Sequence, residues 1–349
     1  MEASAVPGRR TETWPWWRFP GAGMLLVLAI VVIVVGVLEP RFLTERNLTA
    51  VLRQAAPLAI AAYGMGIVIF TGSIDLSTGA VVAMVSMLGV LAGQAAGSAP
   101  VGWLAGVLVG LAFGIINGFM VAYLKIPPFI ATFGTLTYGH GLALAVGGGQ
   151  SIEFPPAGYN FLGQGSLASV PIPFVAALVL LVLSHLFMTR TTLGRQILMI
   201  GGNRRAAELS GVDVRRVQAL AYVIAGLLAG VAGVILSSRV NSGQPELAPT
   251  LQFDAIAAVA VGGVSMRGGK GTVFQVFVGA LLLSVVKNAL NIVNVSTYWQ
   301  MVAVGVVTVA ALVAGGEQEG RAYGMWRRVG RQLWSRRRQA AGAGAEGGA

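Results

Sequence analysis

Long stretches without a single charged residue set the pattern of this chain. Phe19–Leu38 is one such run of 20 residues and Gln54–Ile74 another of 21. Leu76–Leu124 runs for 49 residues and is broken in the middle by the polar and Gly/Pro-bearing stretch Gln94–Pro100, so it divides into two. Ile126–Ile152 holds one more, and Phe154–Thr189 holds a Gly/Pro-rich loop followed by an apolar run from Pro171. Val217–Ser238, Leu247–Met266, Gly271–Val293 and Ser296–Gly315 complete the series, with Asp254 and Lys287 the only charges inside the third-last and second-last runs. A helix needs about 20 apolar residues to cross about 30 Å of hydrocarbon. The pattern therefore predicts an all-α polytopic membrane protein with ten transmembrane helices. Barrel strands would show about 10-residue segments of strict alternation, which these runs lack.

An even number of spans puts both termini on one side, and the basic residues choose which. With the termini cytoplasmic, the inner segments carry Arg9, Arg10, Arg18, Lys125, six arginines from Arg190 to Arg216, Arg267, Lys270 and seven arginines from Arg321 to Arg338. The outer loops carry Arg41, Arg46 and Arg239. Cytoplasmic segments of membrane proteins are enriched in Lys and Arg, so the expected organisation is a cytoplasmic arm (1–20), a transmembrane domain (21–315) and a basic, partly disordered cytoplasmic tail (316–349). The first run follows some 20 residues and ends in Glu39-Pro40-Arg41, a poor cleavage site, so a span rather than a cleaved signal is expected.

Composition narrows the chemistry. Only 11% of the residues are charged, 55% are hydrophobic and the mean hydropathy is +0.75, against about 25% charge in ordinary soluble domains. There is no cysteine, which excludes disulfides, thiolate metal sites and thiol catalysis, and two histidines offer little to a metal. No metal site and no catalytic residue is expected. The net charge of +11 follows from topology and from attraction to anionic membrane lipid, without nucleic acid as a partner.

Several polar features stand out against this background. Gly106, Gly110, Gly114 and Gly118 recur every fourth residue, as do Gly226 and Gly230, with Gly233 following. Small residues at that spacing let helix backbones approach closely in lipid; packing within one bundle is the simpler reading and a subunit interface the sharper one. Two glycine-rich polar loops are gate or translocation candidates: Gly72, Asp75, Ser77 and Gly79 in the first, and Gly262, Gly263, Ser265, Gly268, Gly269 and Gly271 in the second. Non-helical backbone at membrane depth persists only where protein or water satisfies it. The second loop fails as a phosphate loop, because Val264 stands where a glycine is required and Gly271 where Ser or Thr would hold magnesium. Asp254 and Lys287 fall at similar depth on adjacent spans and are read as an ion pair or a place on the pathway, as are Asn117, Phe129 and Asn288. His140, between Gly139 and Gly141, reads as a hydrogen-bonded structural histidine. The segment Thr189–Arg216 predicts one short surface helix, with Asn203 as its N-cap and Gly211 beyond its end. It is a solvated loop helix or a docking helix for a cytoplasmic partner.

Four segments together resemble the membrane subunits of ribose-type ABC sugar importers, a family that includes permeases for ribose, xylose, arabinose and galactose. They are Gly72-Ser-Ile-Asp-Leu-Ser-Thr-Gly79, Ile126-Pro-Pro-Phe-Ile-Ala-Thr-Phe-Gly-Thr-Leu136, Gly194–Gly211 and Phe253–Gly271. The resemblance extends from about Asn47 to Ala314, and its specificity lies in the order and spacing of all four. Ser73, Thr78 and Arg267 depart from the commoner residues, so the substrate does not transfer by analogy. The resemblance implies a type II ABC importer-like permease in the bacterial cytoplasmic (inner) membrane, paired with a second permease copy or paralogue around a central pathway. It implies an extracytoplasmic sugar-binding protein and cytoplasmic ABC ATPase subunits that carry the ATP and magnesium, with no cofactor in this chain. It implies that Asn203, Arg204, Arg205, Ala206, Ala207, Glu208, Leu209, Ser210 and Gly211 form the ATPase-coupling helix, with Ala206 and Ala207 against the partner groove. Uptake of a nucleoside or another small polar metabolite on the same scaffold remains open. An ion-coupled secondary transporter is the reading from another class; it favours several midplane carboxylates, where this chain offers Asp75 and Asp254. An intramembrane enzyme lacks a nucleophile–base pair.

Overall fold

A computed structural model describes residues 22–310. The expected arm (1–20), the end of the last apolar run and the basic tail (316–349) lie outside the described residues. Helix α1 (Ala22–Leu38) leads through a 3-10 turn (Pro40–Leu43) to α2 (Glu45–Phe70), α3 (Thr78–Ala96), α4 (Ala99–Ala122) and α5 (Pro128–Gly147). A one-turn helix α6 (Phe161–Gln164) and an antiparallel hairpin, β1 (Ser166–Leu167) with β2 (Val170–Pro171), precede α7 (Ile172–Arg190). In the hairpin Ser166 pairs with Pro171 and Leu167 with Val170. Then come α8 (Thr192–Gly202), α9 (Arg204–Leu209), α10 (Val214–Val240), α11 (Leu251–Val261), α12 (Val273–Ile292) and α13 (Thr297–Ala310).

Each of the ten apolar runs holds one helix. Among the described residues seven of these helices are long and apolar enough to cross a membrane: α2, α3, α4, α5, α7, α10 and α12. Helices α1, α11 and α13 are shorter. The reading of Leu247–Met266 as one continuous span is corrected by α11, whose 11 residues rise only about 16 Å. Its C-cap is Gly262, where a methyl group would strike the backbone of Gln275 on α12, and Gly263 follows with φ +80°. The polar stretch to Thr272 then continues without helix until a capping box, Thr272 with Gln275, starts α12.

Helix α2 is the axis of the bundle. It is buried almost continuously from Ala55 to Phe70 and packs on α7, α10, α11 and α12. Helix α10 packs on α2, α3 and, most extensively, on α4. The glycine stripes explain that last contact. A methyl group on Gly110 would lie 2.5 Å from the Gly226 carbonyl, one on Gly114 2.6 Å from the Tyr222 carbonyl, and one on Gly118 2.7 Å from the Ala219 carbonyl. These stripes are therefore an intrachain seam in which the two backbones touch. Helix α1 packs along α12, and α5 leans on α3 and α4 from the edge. Helices α5 and α7 are the least covered of the long helices and present apolar side chains outward.

Candidate functional site

The segment joining α7 to α10 folds as two helices where the sequence predicts one. Thr191 caps α8 by accepting from the Gly194 amide at 3.0 Å, and Leu193, Ile197 and Ile200 turn its apolar face into the bundle. That i, i+4, i+7 spacing is the signal for the helix the sequence reading missed. Helix α9 has the expected capping: the Ala206 amide donates to Asn203 Oδ1 at 3.0 Å, and Gly211 adopts φ +81°. Glu208 pairs with Arg204 at 3.6 Å and with Arg205 at 3.5 Å.

One expectation for α9 is corrected. Ala207, expected to face a partner, is 1% exposed and packs into the chain's own core. A six-residue helix lying on a bundle must turn one face inward, and Ala207 marks that face. Ala206 and Arg205 face outward, and Leu209 is 76% exposed. Leu209 thus lends α9 an apolar tip on its outward, charged face.

Directly beneath α9 both glycine-rich loops meet the α8–α9 junction. The Gly269 amide donates to the Phe70 carbonyl at 3.0 Å. A methyl group on Gly268 would lie 2.6 Å from the Gly72 amide nitrogen, and one on Gly201 would collide with the Phe70 carbonyl and the Gly269 amide. Gly72, Gly268 and Gly269 also hold φ of +79°, +87° and +71°, a region that favours glycine. Three segments thus share one backbone-to-backbone knot. The first loop then runs into the bundle, and Gly79 at its far end abuts Gln252 and the Ala248 carbonyl, which lead into α11. Ser265 and Gly271 belong to the turn itself: the Ser265 amide donates to the Lys270 carbonyl at 3.2 Å, and Gly271 (φ +137°) packs under Phe70. A cavity of about 550 Å³ opens beside this knot, lined by Thr71, Ser73, Lys125, Asn203, Arg204 and Gln218 among others.

Asp75 is fully enclosed. Its Oδ1 accepts from the Ser77 amide at 2.8 Å and from the Ser77 hydroxyl at 2.6 Å. Asn117, a pathway candidate in the sequence, is 1% exposed. It donates to Ser77 Oγ at 2.8 Å and accepts from Thr135 Oγ1 at 2.6 Å, so it is an internal bridge between α4, the first loop and α5. Asn288 likewise exchanges two hydrogen bonds with Asn47, at 3.0 and 2.9 Å, and ties α12 to the start of α2. Phe129 is 61% exposed and stacks on Phe133 along the outward face of α5. His140 is half-buried and makes no hydrogen bond among the described residues, against expectation. The sequence reading missed Thr135, Gln218 and Tyr222, and gave Ser73 no role in the site. Each is a polar residue beside or within an apolar run, but partners 145 residues apart, as for Gln218 and Ser73, leave no local signal.

Asp254 and Lys287 do meet, Nζ to Oδ1 at 2.7 Å, with both side chains largely buried. Removing one partner leaves an uncompensated charge, at about 3–5 kcal/mol, whereas removing both is often close to neutral. Asp254→Ala is therefore expected to lower folded yield in detergent well below that of the Asp254→Asn/Lys287→Gln double variant. Equal losses, additive over the two sites, would show that the pair is not coupled.

A helical bundle with several membrane-length helices, two polar loops and a half-length helix inside it is the architecture of a multi-pass membrane protein. The chain belongs to the family described as "Branched-chain amino acid transport system / permease component", whose model matches residues 47–312. It is 39% identical over 295 residues to the ribose import permease protein of Bacillus subtilis (strain 168), covering 83% of this chain and 91% of that one. It is 33% identical over 330 residues to the ribose import permease protein of Escherichia coli (strain K12), covering 91% of this chain and 100% of that one. It is 34% identical over 291 residues to the L-arabinose transport system permease protein of the same strain, covering 83% and 89%. No solved structure matches the chain.

Proposed function

We propose that this chain is the permease subunit of an ATP-binding cassette importer that brings a monosaccharide across the bacterial cytoplasmic membrane. The observation that carries the proposal is the capped helix α9, which follows directly on the Gly201–Gly202 junction that touches both polar loops and presents Leu209, Ala206 and Arg205 outward. Movement imposed on α9 from outside the chain reaches both loops through the α8–α9 junction, whose Gly201–Gly202 backbone touches them. The names of the relatives, which concern ribose and arabinose, support a sugar as cargo. On this reading ATP and magnesium reside on a cytoplasmic partner docked at α9. An extracytoplasmic binding protein delivers the sugar at the opposite end, where α6 and the bridge between Ile152 and Gly243 lie. The sequence offers no nucleotide loop of its own, which agrees with that division of labour.

The sidedness is testable with single cysteines, since the natural chain has none. Cysteines at the exposed positions 164 and 246 are expected to react with an impermeant maleimide from outside intact cells, and one at position 204 only after permeabilisation. Reaction at 204 from outside would overturn both the orientation and the docking of α9. Affinity purification of the full chain from its own membranes is expected to recover an ATPase bearing a phosphate loop.

A further inference from the structure

Two hydrogen-bonded sets of side chains, joined by the backbone of residues 73–75, connect α9 to the edge helix α5. Arg204 on α9 donates through Nη1 to Gln218 Oε1 at 3.2 Å, and Gln218 Nε2 donates to Ser73 Oγ at 3.0 Å. The next carbonyl, that of Ile74, accepts from the Tyr222 hydroxyl at 3.1 Å. Asp75 then accepts from Ser77, Ser77 from Asn117, and Asn117 from Thr135 on α5. From Arg204 the donors run inward to Ser73 Oγ, and from Thr135 they run inward through Asn117 and Ser77 to the Asp75 carboxylate, so the two sets converge on the first loop. Gln218, Ser73, Asp75, Ser77, Asn117 and Thr135 are none of them more than 6% exposed. In so apolar a bundle a buried polar chain of this length costs desolvation at every member, and shape alone does not require it.

Placement shows what the chain connects. Helix α5 packs on α3 and α4, and its first turn is separated from the α8–α9 junction by the 550 Å³ cavity. Its start is a jointed stretch: Lys125 holds φ +58°, and Pro127 and Pro128 follow. The helix is thus an edge element with a break in helical backbone before its α9 end. The hydrogen-bonded sets tie it to the first loop beside that cavity. We infer that Gln218, Ser73 and Asn117 are positioning residues that transmit displacement of α9 through the Gly72–Ser77 loop to α5, and that cutting this chain separates ATP hydrolysis from sugar movement. The inference rests on the proposed docking of an ATPase at α9.

Asn117→Leu is the sharpest cut. Ser77 keeps Asp75 as a partner, and Thr135 keeps the Ala131 carbonyl at 3.0 Å, so no buried group loses its last hydrogen bond. Gln218→Leu and Thr135→Val sever the same chain at its two ends. Tyr159→Phe removes a buried hydrogen bond of the same kind, 2.9 Å to Ser237, at the opposite end of the bundle. The experiment is uptake of labelled D-ribose, D-allose or L-arabinose per ATP hydrolysed, in vesicles holding the full complex and its loaded binding protein. Asn117→Leu, Gln218→Leu and Thr135→Val are expected to keep assembly and stimulated hydrolysis while the ratio falls about fivefold or more. The Gln218→Leu/Asn117→Leu double variant is expected to fall no further than the worse single change, because both cut one chain. Tyr159→Phe is expected to keep the parental ratio. Should Asn117→Leu fail to assemble, the two end cuts decide the matter. An unchanged ratio in assembled variants, or an equal fall in Tyr159→Phe, overturns the inference. If the parental complex itself shows no ATP-dependent uptake, it is the proposed function that fails.

Discussion

Leu209→Asp on α9 is expected to abolish transport while leaving the bundle intact. The side chain is 76% exposed, so the chain alone loses little by the change; substitutions at such surface positions usually stay within about 0.5 kcal/mol. On the proposed docking the same side chain enters a partner groove, and an unpaired carboxylate there costs several kcal/mol. Ala206→Trp tests the same face by bulk. The neighbouring Ala207 makes the contrast, because it lies in the chain's own core and Ala207→Trp must displace packed neighbours, at about 1–3 kcal/mol or more. Leu209→Asp and Ala206→Trp should therefore purify at parental yield and lose co-purifying ATPase, whereas Ala207→Trp should lose folded yield first. Retention of the ATPase by both outward variants would show that α9 is an ordinary surface helix.

Gly269→Val is expected to have the largest effect on folding. A side chain at Gly269 points into the Gly201–Gly202 backbone, which has no rotamer to move aside, and the residue holds φ +71°. A β-branched residue meets both penalties, a strained backbone of about 1–3 kcal/mol and overpacking of similar size. Together, at about 2–6 kcal/mol, these take a large share of the total stability of a typical domain, about 5–15 kcal/mol. Size-exclusion profiles in detergent should show loss of the monodisperse peak. Gly202→Ala, at a position whose backbone shares the contact but whose own Cβ faces open space, should behave as the parent. A normal profile for Gly269→Val would mean that the three segments are not clamped there.

Much of this architecture is legible in the sequence because the bilayer simplifies the problem. Absence of charge over about 20 residues is enough to place a helix, and all ten apolar runs carry one. Capping is local chemistry, so Asn203 and Gly211 bound α9 where the residues say they should. What escaped is whatever depends on the third dimension. The run Leu247–Met266 is apolar enough to cross, yet α11 stops after 11 residues, because Gly262 must let α12 approach and the polar turn behind it must reach Gly72 and Gly201. The inward turn of Ala207 and the enclosure of Asn117 were equally hidden. Hydropathy treats a buried helix face and a lipid-facing one alike. The Asp254–Lys287 pair was legible for the opposite reason. Two isolated opposite charges at matching depth in adjacent antiparallel helices have few other ways to offset their cost.

The central claim is that this chain passes sugar at the expense of ATP hydrolysed by a partner seated on α9. The most direct test is uptake of labelled D-ribose, D-allose and L-arabinose into vesicles carrying the chain, its ATPase and its binding protein, with ATP enclosed on the α9 side and no ion gradient imposed. Accumulation of at least one sugar that needs ATP and disappears with Leu209→Asp is the predicted result. Accumulation driven by a proton or sodium gradient without ATP, and indifferent to Leu209→Asp, would contradict it.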